Sequence, residues 1–244
     1  MDDTEERELI DLYRAEQYKF QIFLNSVYDF FRLSPQLNES PMPLIHSLKS
    51  RLKDTDHLID KIRRKSTTED PITRDNFFDR ITDLAGVRVL HLYQQQFASI
   101  HQFLQQKIID GDWVLFEPPC AYTWDPESEA FFSDLGIQCK IKDTYYTSVH
   151  YVVMPKANSP IKCEIQIRTL YEEIWGEIDH YINYPLPTTS IACKEQLRVL
   201  SKLSVTGTRL ADSILNSHDE FLKHSEIIQE LQSSAKHEEA LVVV

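Results

Sequence analysis

In Cys163-Glu164-Ile165-Gln166-Ile167-Arg168-Thr169, apolar and polar residues alternate. A strand here turns Cys163, Ile165 and Ile167 to a core and sets Glu164, Gln166 and Arg168 side by side on the other face. An acceptor, an amide and a fixed cation in one row suit a site for a charged, polar ligand; the alternative is a solvated sheet face with an ordinary salt bridge. A second acid, Asp83, lies in Arg80-Ile81-Thr82-Asp83-Leu84-Ala85-Gly86-Val87-Arg88-Val89-Leu90, just ahead of another expected strand. Asp83 and Glu164, brought together from neighbouring strands, could share one Mg²⁺, which takes oxygen ligands and leaves positions free for phosphates. Taken alone, Asp83 also reads as a cap or turn residue.

Between residues 49 and 65 an otherwise acidic chain carries Lys49, Arg51, Lys53, Lys61, Arg63, Arg64 and Lys65. Lys49, Arg51 and Lys53 alternate along one strand face, and Lys61, Arg64 and Lys65 share a helix face at three- and four-residue spacing. A solvated basic helix is the usual origin of such a run. Two adjacent elements of one charge sign favour a cradle for phosphates. Further on, Lys140-Ile141-Lys142-Asp143-Thr144-Tyr145-Tyr146-Thr147-Ser148-Val149-His150 leads two cations and a tyrosine pair into a strand. An exposed tyrosine there can stack on a nucleobase while the lysines take its phosphates, although tyrosines in a turn beside a sheet also serve packing. His150 alternates with Ser148 and reads equally as a histidine satisfied by its neighbours.

The elements that must hold these residues follow from periodicity. Leu9, Leu12, Tyr13, Phe20, Phe23, Val27, Phe30 and Phe31 recur at helical spacing and predict a helix over 3–32 with one buried stripe. Prolines and turn formers over 34–43 make a connector. An extended stretch at 44–52, a basic helix at 55–65 and an acidic loop with Pro71 follow. Then come a strand at 86–92, a helix at 97–108, extended pieces at 113–116 and 137–141, strands at 148–154 and 161–168, and a helix at 170–182. This alternation predicts an α/β or α+β core with a mixed sheet, in a strand order the pattern leaves open. Beyond residue 187 a helical stripe resumes with Leu197, Leu200, Leu203, Leu210, Ile214, Phe221, Ile228 and Leu231. Its partner is the first helix, the core or another subunit, and 240–244 is either frayed or docked.

Composition narrows the function classes. The net charge of −12 argues against broad nucleic-acid binding, though not against a local phosphate site. With five glycines and neither G-x-G-x-x-G nor G-x-x-x-x-G-K-[ST], a Rossmann or P-loop site is excluded. Cys120, Cys139, Cys163 and Cys193 are too scattered for a zinc or redox motif. The acidic N-terminus and the lack of a long apolar run lead us to expect a cytoplasmic protein without a membrane segment.

Taken in order, Lys49-Ser50-Arg51-Leu52-Lys53 with the basic helix, Asp83-Leu84-Ala85-Gly86-Val87-Arg88, Tyr146-Thr147-Ser148-Val149-His150, Glu164-Ile165-Gln166-Ile167-Arg168-Thr169 and Trp175-Gly176-Glu177-Ile178-Asp179-His180 resemble the synthetase domain of the RelA/SpoT family of alarmone synthetases. The resemblance covers 44–184. It implies an α+β fold, a nucleotidyltransferase-like mixed β-sheet flanked by helices, with long N- and C-terminal helices as in the small single-domain members. The expected organisation is an N-terminal helix at 1–33, a synthetase domain at 44–184 and a C-terminal helical extension at 190–235. The implied reaction is transfer of a pyrophosphoryl group from ATP to the ribose 3′-hydroxyl of GDP or GTP, yielding (p)ppGpp.

By the same resemblance, Asp83 and Glu164 are the Mg²⁺ ligands and Glu164 also draws the proton from the attacking hydroxyl. Arg51, Lys53, Lys61, Arg64 and Arg88 contact ATP. Tyr146 stacks on the acceptor base, with Lys140, Lys142, His150, Gln166, Arg168 and His180 around the acceptor nucleotide. The family loop Gly-Tyr-Arg-Ser-Leu-His is altered here, with Tyr145 and Thr147 in place of the glycine and arginine. That loss of flexibility and charge leaves open a toxin-like relative, restrained by an antitoxin, that acts on tRNA 3′ ends or adenosine nucleotides, or a catalytically inactive nucleotide-binding protein. Self-association through the terminal helices is a further expectation. His218-Asp219-Glu220 lacks the metal-ligand surroundings of the family's hydrolase half, so alarmone breakdown is not expected.

Overall fold

The computed structural model describes residues 3–39, 42–184 and 186–242, with side chains over 4–228. Ser40 and Pro41 of the expected connector, Pro185 and the end of the 240–244 segment lie outside the described residues. The chain opens with α1 (Asp3–Leu33), whose predicted stripe buries Leu9, Tyr13, Phe20, Phe23, Val27 and Phe31. The connector contains one short turn of helix, α2 (Pro35–Asn38), begun by a proline at its first position. β1 (Ser47–Leu52) and the basic helix α3 (Thr55–Lys65) follow; Asp54 caps α3 by accepting from the Asp56 N–H. A second short helix, α4 (Phe77–Arg80), leads to β2 (Ala85–His91), α5 (Gln96–Ile109) and β3 (Val114–Thr123). Next are α6 (Pro126–Asp134), β4 (Gln138–Ile141), β5 (Ser148–Met154), β6 (Cys163–Thr169), α7 (Leu170–Asn183) and α8 (Ile191–Val242).

The six strands form one mixed sheet in the order β1-β2-β6-β5-β3-β4. β2 and β6 run parallel, as do β3 and β4; the other pairs are antiparallel. β3 is longer than expected, because it continues through Pro118 and Pro119 with two register shifts before Cys120. Those prolines fall within the register shift against β5 and ahead of the β4 pairing, so their missing N–H groups break no ladder. Neither α4 nor α6 is predicted above: both are too short to show a helical period, and α6 is marked only by Asp125, which accepts from the Ser128 N–H, and by Pro126.

One sheet face is apolar. Val87, Val89, Ile165, Ile167, Val149, Tyr151, Val153 and Ala121 are buried in the same core as the α1 stripe and Phe97, Ile100 and Leu104 of α5. Tyr13 fixes α1 to the strand ends, donating its hydroxyl proton to the carbonyls of Lys53 (3.0 Å) and Leu84 (3.4 Å). It thus holds from behind two segments whose neighbouring side chains face the site.

The first turns of α8 lie on α7: Leu197, Ser201, Ser204, Val205 and Thr208 are buried, and the Trp175 indole donates to the Leu197 carbonyl at 3.0 Å. Leu203, Leu210, Ile214, Phe221 and Ile228 of the expected stripe are exposed instead. Leu231 lies beyond the described side chains. Farther along α8, the Asp212 carboxylate ties the helix to the body by accepting from the Gln94 and Gln95 N–H groups (3.1 and 3.0 Å) at the start of α5. Asp212→Ala strips these donors of their partner and should cost about 1 kcal/mol, read as a lower urea midpoint. An unchanged midpoint would show that water replaces the carboxylate freely.

Candidate active site

The polar face of the sheet collects residues from five strands. Register places Arg51, Gly86, Glu164 and Val152 in one row and Lys49, Arg88, Gln166, His150 and Cys120 in the next. Partners directly across a ladder point to the same side. Gly86 matters here: a side chain between Arg51 and Glu164 would fill the space above the sheet, and the glycine leaves it open.

Three adjoining cavities cover this face. The first, about 600 Å³, is lined by cations (Lys61, Lys65, Arg80, Lys142), by aromatic rings (Phe116, Tyr122, Tyr146) and by His150 and Glu164. The second, about 320 Å³, lies over Gly86 between Lys49, Arg51, Arg88, Asp83 and Glu164. The third, about 420 Å³, runs from Arg51 and Arg88 past Tyr146, Gln166 and Arg168 to His180 and Tyr184. Glu164 borders the first two, and Tyr146 separates the first from the third.

The two acids differ in their surroundings. Asp83 Oδ2 accepts from Lys53 (2.8 Å) and Lys61 (2.6 Å), while its Oδ1 is buried with no hydrogen-bond partner. Burial opposes its charge, but the two ammonium groups prevail and bring the carboxyl down to about 2. Burial likewise lowers Lys53, against the pull of Asp83. Glu164 accepts from Gln166 Nε2 at 2.8 Å and pairs with His150 Nδ1 at 3.0 Å. Burial works against its charge too, yet the His150 contact holds the carboxyl below its ordinary value. Both acids are therefore ionised, and Asp83 keeps one oxygen unengaged.

A divalent cation fits this donor set. Two carboxylates and an orphaned buried oxygen beside a phosphate-sized, cation-lined space are what a metal completed by substrate oxygens requires. Among the described residues no group of three or more His, Cys, Asp or Glu side chains could hold a metal by protein ligands alone.

The tyrosine loop explains its own departures. Tyr145 has φ of 60°, the left-handed region that favours glycine. Packing of its ring against Trp124, centroids 5.3 Å apart, accompanies that strain. Thr147 is buried and bonded to Thr123 (3.3 Å between hydroxyls), and it lines none of these three cavities. Tyr146 is hydrogen-bonded to His150 Nε2 at 2.9 Å and lies 6.0 Å from the Arg168 guanidinium. Lys142 sits 4.6 Å over the Tyr122 ring.

Of the residues singled out by sequence, Asp83, Glu164, Arg51, Lys61, Arg88, Lys142, Tyr146, His150, Gln166, Arg168 and His180 line these cavities, and Lys53 reaches them through Asp83. Arg64 and Lys140 line none of the three. Arg64 is exposed on α3, close enough to Tyr184 of the third cavity for its charge to be felt there, and Lys140 is exposed 6.0 Å from the Tyr122 ring. Tyr122, Glu173 and Glu177 are the residues sequence reasoning passes over. Glu173 is buried in α7 and accepts from Lys49 (2.7 Å) and Arg88 (2.8 Å) while pairing with Arg168. Nothing in its spacing marks it, because its partners come from three strands distant in sequence.

The pattern described as "Region found in RelA / SpoT proteins" matches residues 50–188, more than half of the chain. The chain belongs to the RelA/SpoT family. It is 25% identical over 182 residues to the GTP pyrophosphokinase YwaC of Bacillus subtilis (strain 168), covering 69% of this chain and 72% of the relative. Its fold is that of solved small alarmone synthetases from Bacillus subtilis. Small alarmone synthetase 1 superposes with a TM-score of 0.66 at 18% identity, covering 86% of this chain and 99% of the other. The same enzyme bound to its product pppGpp gives 0.58 at 20% identity, with 88% and 98% covered. Small alarmone synthetase 2 gives 0.60 at 21% identity, with 85% and 98% covered. Among the described residues no helix is long and apolar enough to cross a membrane.

Proposed function

We propose that this chain transfers the β,γ-pyrophosphoryl group of ATP to the ribose 3′-hydroxyl of GDP or GTP, forming (p)ppGpp and AMP. The observation that carries this reading is the juxtaposition of Asp83 and Glu164 on the polar sheet face, between a cation-lined cavity and one flanked by two arginines. Family membership and the names of the relatives support it. The catalytic unit is 44–184, with the helices at 1–33 and 190–235 as its extensions.

Arg51 and Arg88 flank the donor nucleotide, and Lys53 and Lys61 meet its phosphates beside Asp83. Arg64 and Lys140, exposed beyond the cavities, add charge at the approach. The acceptor base lies against Tyr146, its phosphates near Lys142, with His150, Gln166, Arg168 and His180 shaping its surroundings. Glu164 takes the proton of the attacking 3′-hydroxyl; the new bond forms from that oxygen to the β-phosphorus as the bond from β-phosphorus to the α,β-bridging oxygen breaks and AMP leaves. Asp83 and Glu164 would hold Mg²⁺, which would supply positive charge to neutralise the polyphosphate. The surrounding lysines and arginines stabilise charge in a site partly screened from water. The exposed apolar stripe of α8 suits self-association.

The reading is tested by separating nucleotides after incubation with ATP, Mg²⁺ and GDP: AMP and guanosine tetraphosphate should appear in equal amounts. AMP without a guanosine product would overturn it. Tyr146→Ala should raise the acceptor KM about five- to a hundredfold, one base stack being worth ~1–3 kcal/mol, with a much smaller change for ATP. Equal weakening of both substrates would argue against stacking.

A further inference from the structure

Two neighbouring tyrosines in the loop 142–147, between β4 and β5, point to opposite sides of it. Tyr146 faces the cavities, bonded to His150 Nε2 at 2.9 Å. Tyr145 lines none of the three; its half-buried ring meets the half-buried ring of Trp124 edge to face, with centroids 5.3 Å apart and planes at 73°. Behind that pair is a gap of only about 10 Å³, closed by Trp175 of α7 and by Ser201, Ser204 and Val205 of α8. The two rings therefore have almost no room to retreat.

The segment carrying Trp124 is itself fixed. The Thr123 carbonyl accepts from the Lys142 N–H at 2.8 Å and its hydroxyl lies 3.3 Å from that of Thr147, so both ends of the loop are tied to one residue. Asp125 caps α6 and pairs with Arg209 of α8, which also bonds Glu127 at 3.1 Å. Between these anchors Tyr145 holds φ at 60°, a conformation costly for any residue but glycine, which persists only where the surroundings over-determine it. We infer that Trp124 and Tyr145 are positioning residues for the acceptor: their contact, backed by α8, clamps the loop so that Tyr146 is set for the base before the nucleotide arrives. The inference rests on the acceptor site assigned under Proposed function. A loop fixed beforehand spares the ordering cost that binding would otherwise meet. Released from Trp124, it must be ordered anew with each acceptor, and the loss falls on the acceptor alone because no donor-side residue belongs to the loop.

The experiment is equilibrium binding of GDP, and separately of α,β-methylene-ATP, with Mg²⁺ to wild type, Tyr145→Gly, Trp124→Ala, the double variant and Trp124→Phe. Glycine suits the φ of residue 145, so Tyr145→Gly removes the ring without straining the loop and carries the test by itself if Trp124→Ala folds poorly. Each of Tyr145→Gly and Trp124→Ala should weaken GDP binding about fivefold, ~1 kcal/mol, the effect of one aromatic pair. The double variant should bind no more weakly than either, because both changes remove the same contact. Trp124→Phe, which keeps a ring, should stay near wild type. The ATP analogue should bind all of these proteins alike, and in turnover the loss should fall on the GDP KM rather than on kcat. GDP binding by Tyr145→Gly as tight as wild type, losses that add in the double variant, or a parallel loss of the ATP analogue would overturn the inference. If wild type fails to bind GDP, or Tyr146→Ala binds it as wild type does, the acceptor assignment falls and this inference with it. A loss in Tyr146→Ala without one in Tyr145→Gly removes the inference alone.

Discussion

Glu164→Gln should lower pyrophosphoryl transfer about a thousand-fold while leaving the fold intact. The substitution keeps shape and one hydrogen-bonding oxygen but removes the negative charge that faces the cavity between Asp83 and His150. The two roles proposed for Glu164 end together: a neutral amide cannot accept the 3′-hydroxyl proton, and it is a poor ligand for a hard divalent cation. General-base catalysis alone is worth about 10²–10⁴-fold, and a weakened metal site adds to that. Because the charge is needed in the transition state, the loss should fall on kcat more than on the KM of ATP. Transfer within tenfold of wild type would remove Glu164 from the chemistry.

The second large effect is on stability. Arg168 is 4% exposed, paired with Glu173 and packed over α7 where Gly176 leaves space. Arg168→Met fills much the same volume without the charge, so Glu173 keeps only Lys49 and Arg88. Breaking one arm of a buried ionic group costs about 3–5 kcal/mol when the remaining charge is stranded. Here two partners remain, and a loss of about 2–3 kcal/mol is expected, read from the urea midpoint at neutral pH. Glu173→Gln should cost less in the Arg168→Met background than in wild type, since one of the contacts it removes is already gone; additive losses would mean that the two residues act independently.

How far the sequence foretold this can be judged element by element. The amphipathic α1, the basic α3 and the alternating β6 were legible because one face of each is buried and the other is not. The opposition of Asp83 and Glu164 could only be suspected, since it depends on β2 and β6 lying parallel with Gly86 opposite Glu164, a register that neither segment encodes alone. α6 was missed because nine residues with a mixed surface show no clear period. Glu173 was missed for a different reason: its role is made by cations from three strands converging on one helix. The Tyr145 departure from the family loop suggested a stiffened backbone, whereas the backbone keeps a glycine-like conformation with a tyrosine in it. The missing arginine is a real loss of charge, because Thr147 points inward.

The central claim, that the acids on this sheet face direct a pyrophosphoryl group onto a guanosine 3′-hydroxyl, is tested most directly by label transfer. Protein, Mg²⁺ and γ-labelled ATP are incubated in parallel with GDP, GTP, GMP, adenosine nucleotides and tRNA, and the products are separated. Label should move to GDP or GTP, at the 3′ position, and Glu164→Gln should abolish it. Label on tRNA or an adenosine nucleotide in place of the guanosine nucleotides, or on no acceptor at all, would contradict it.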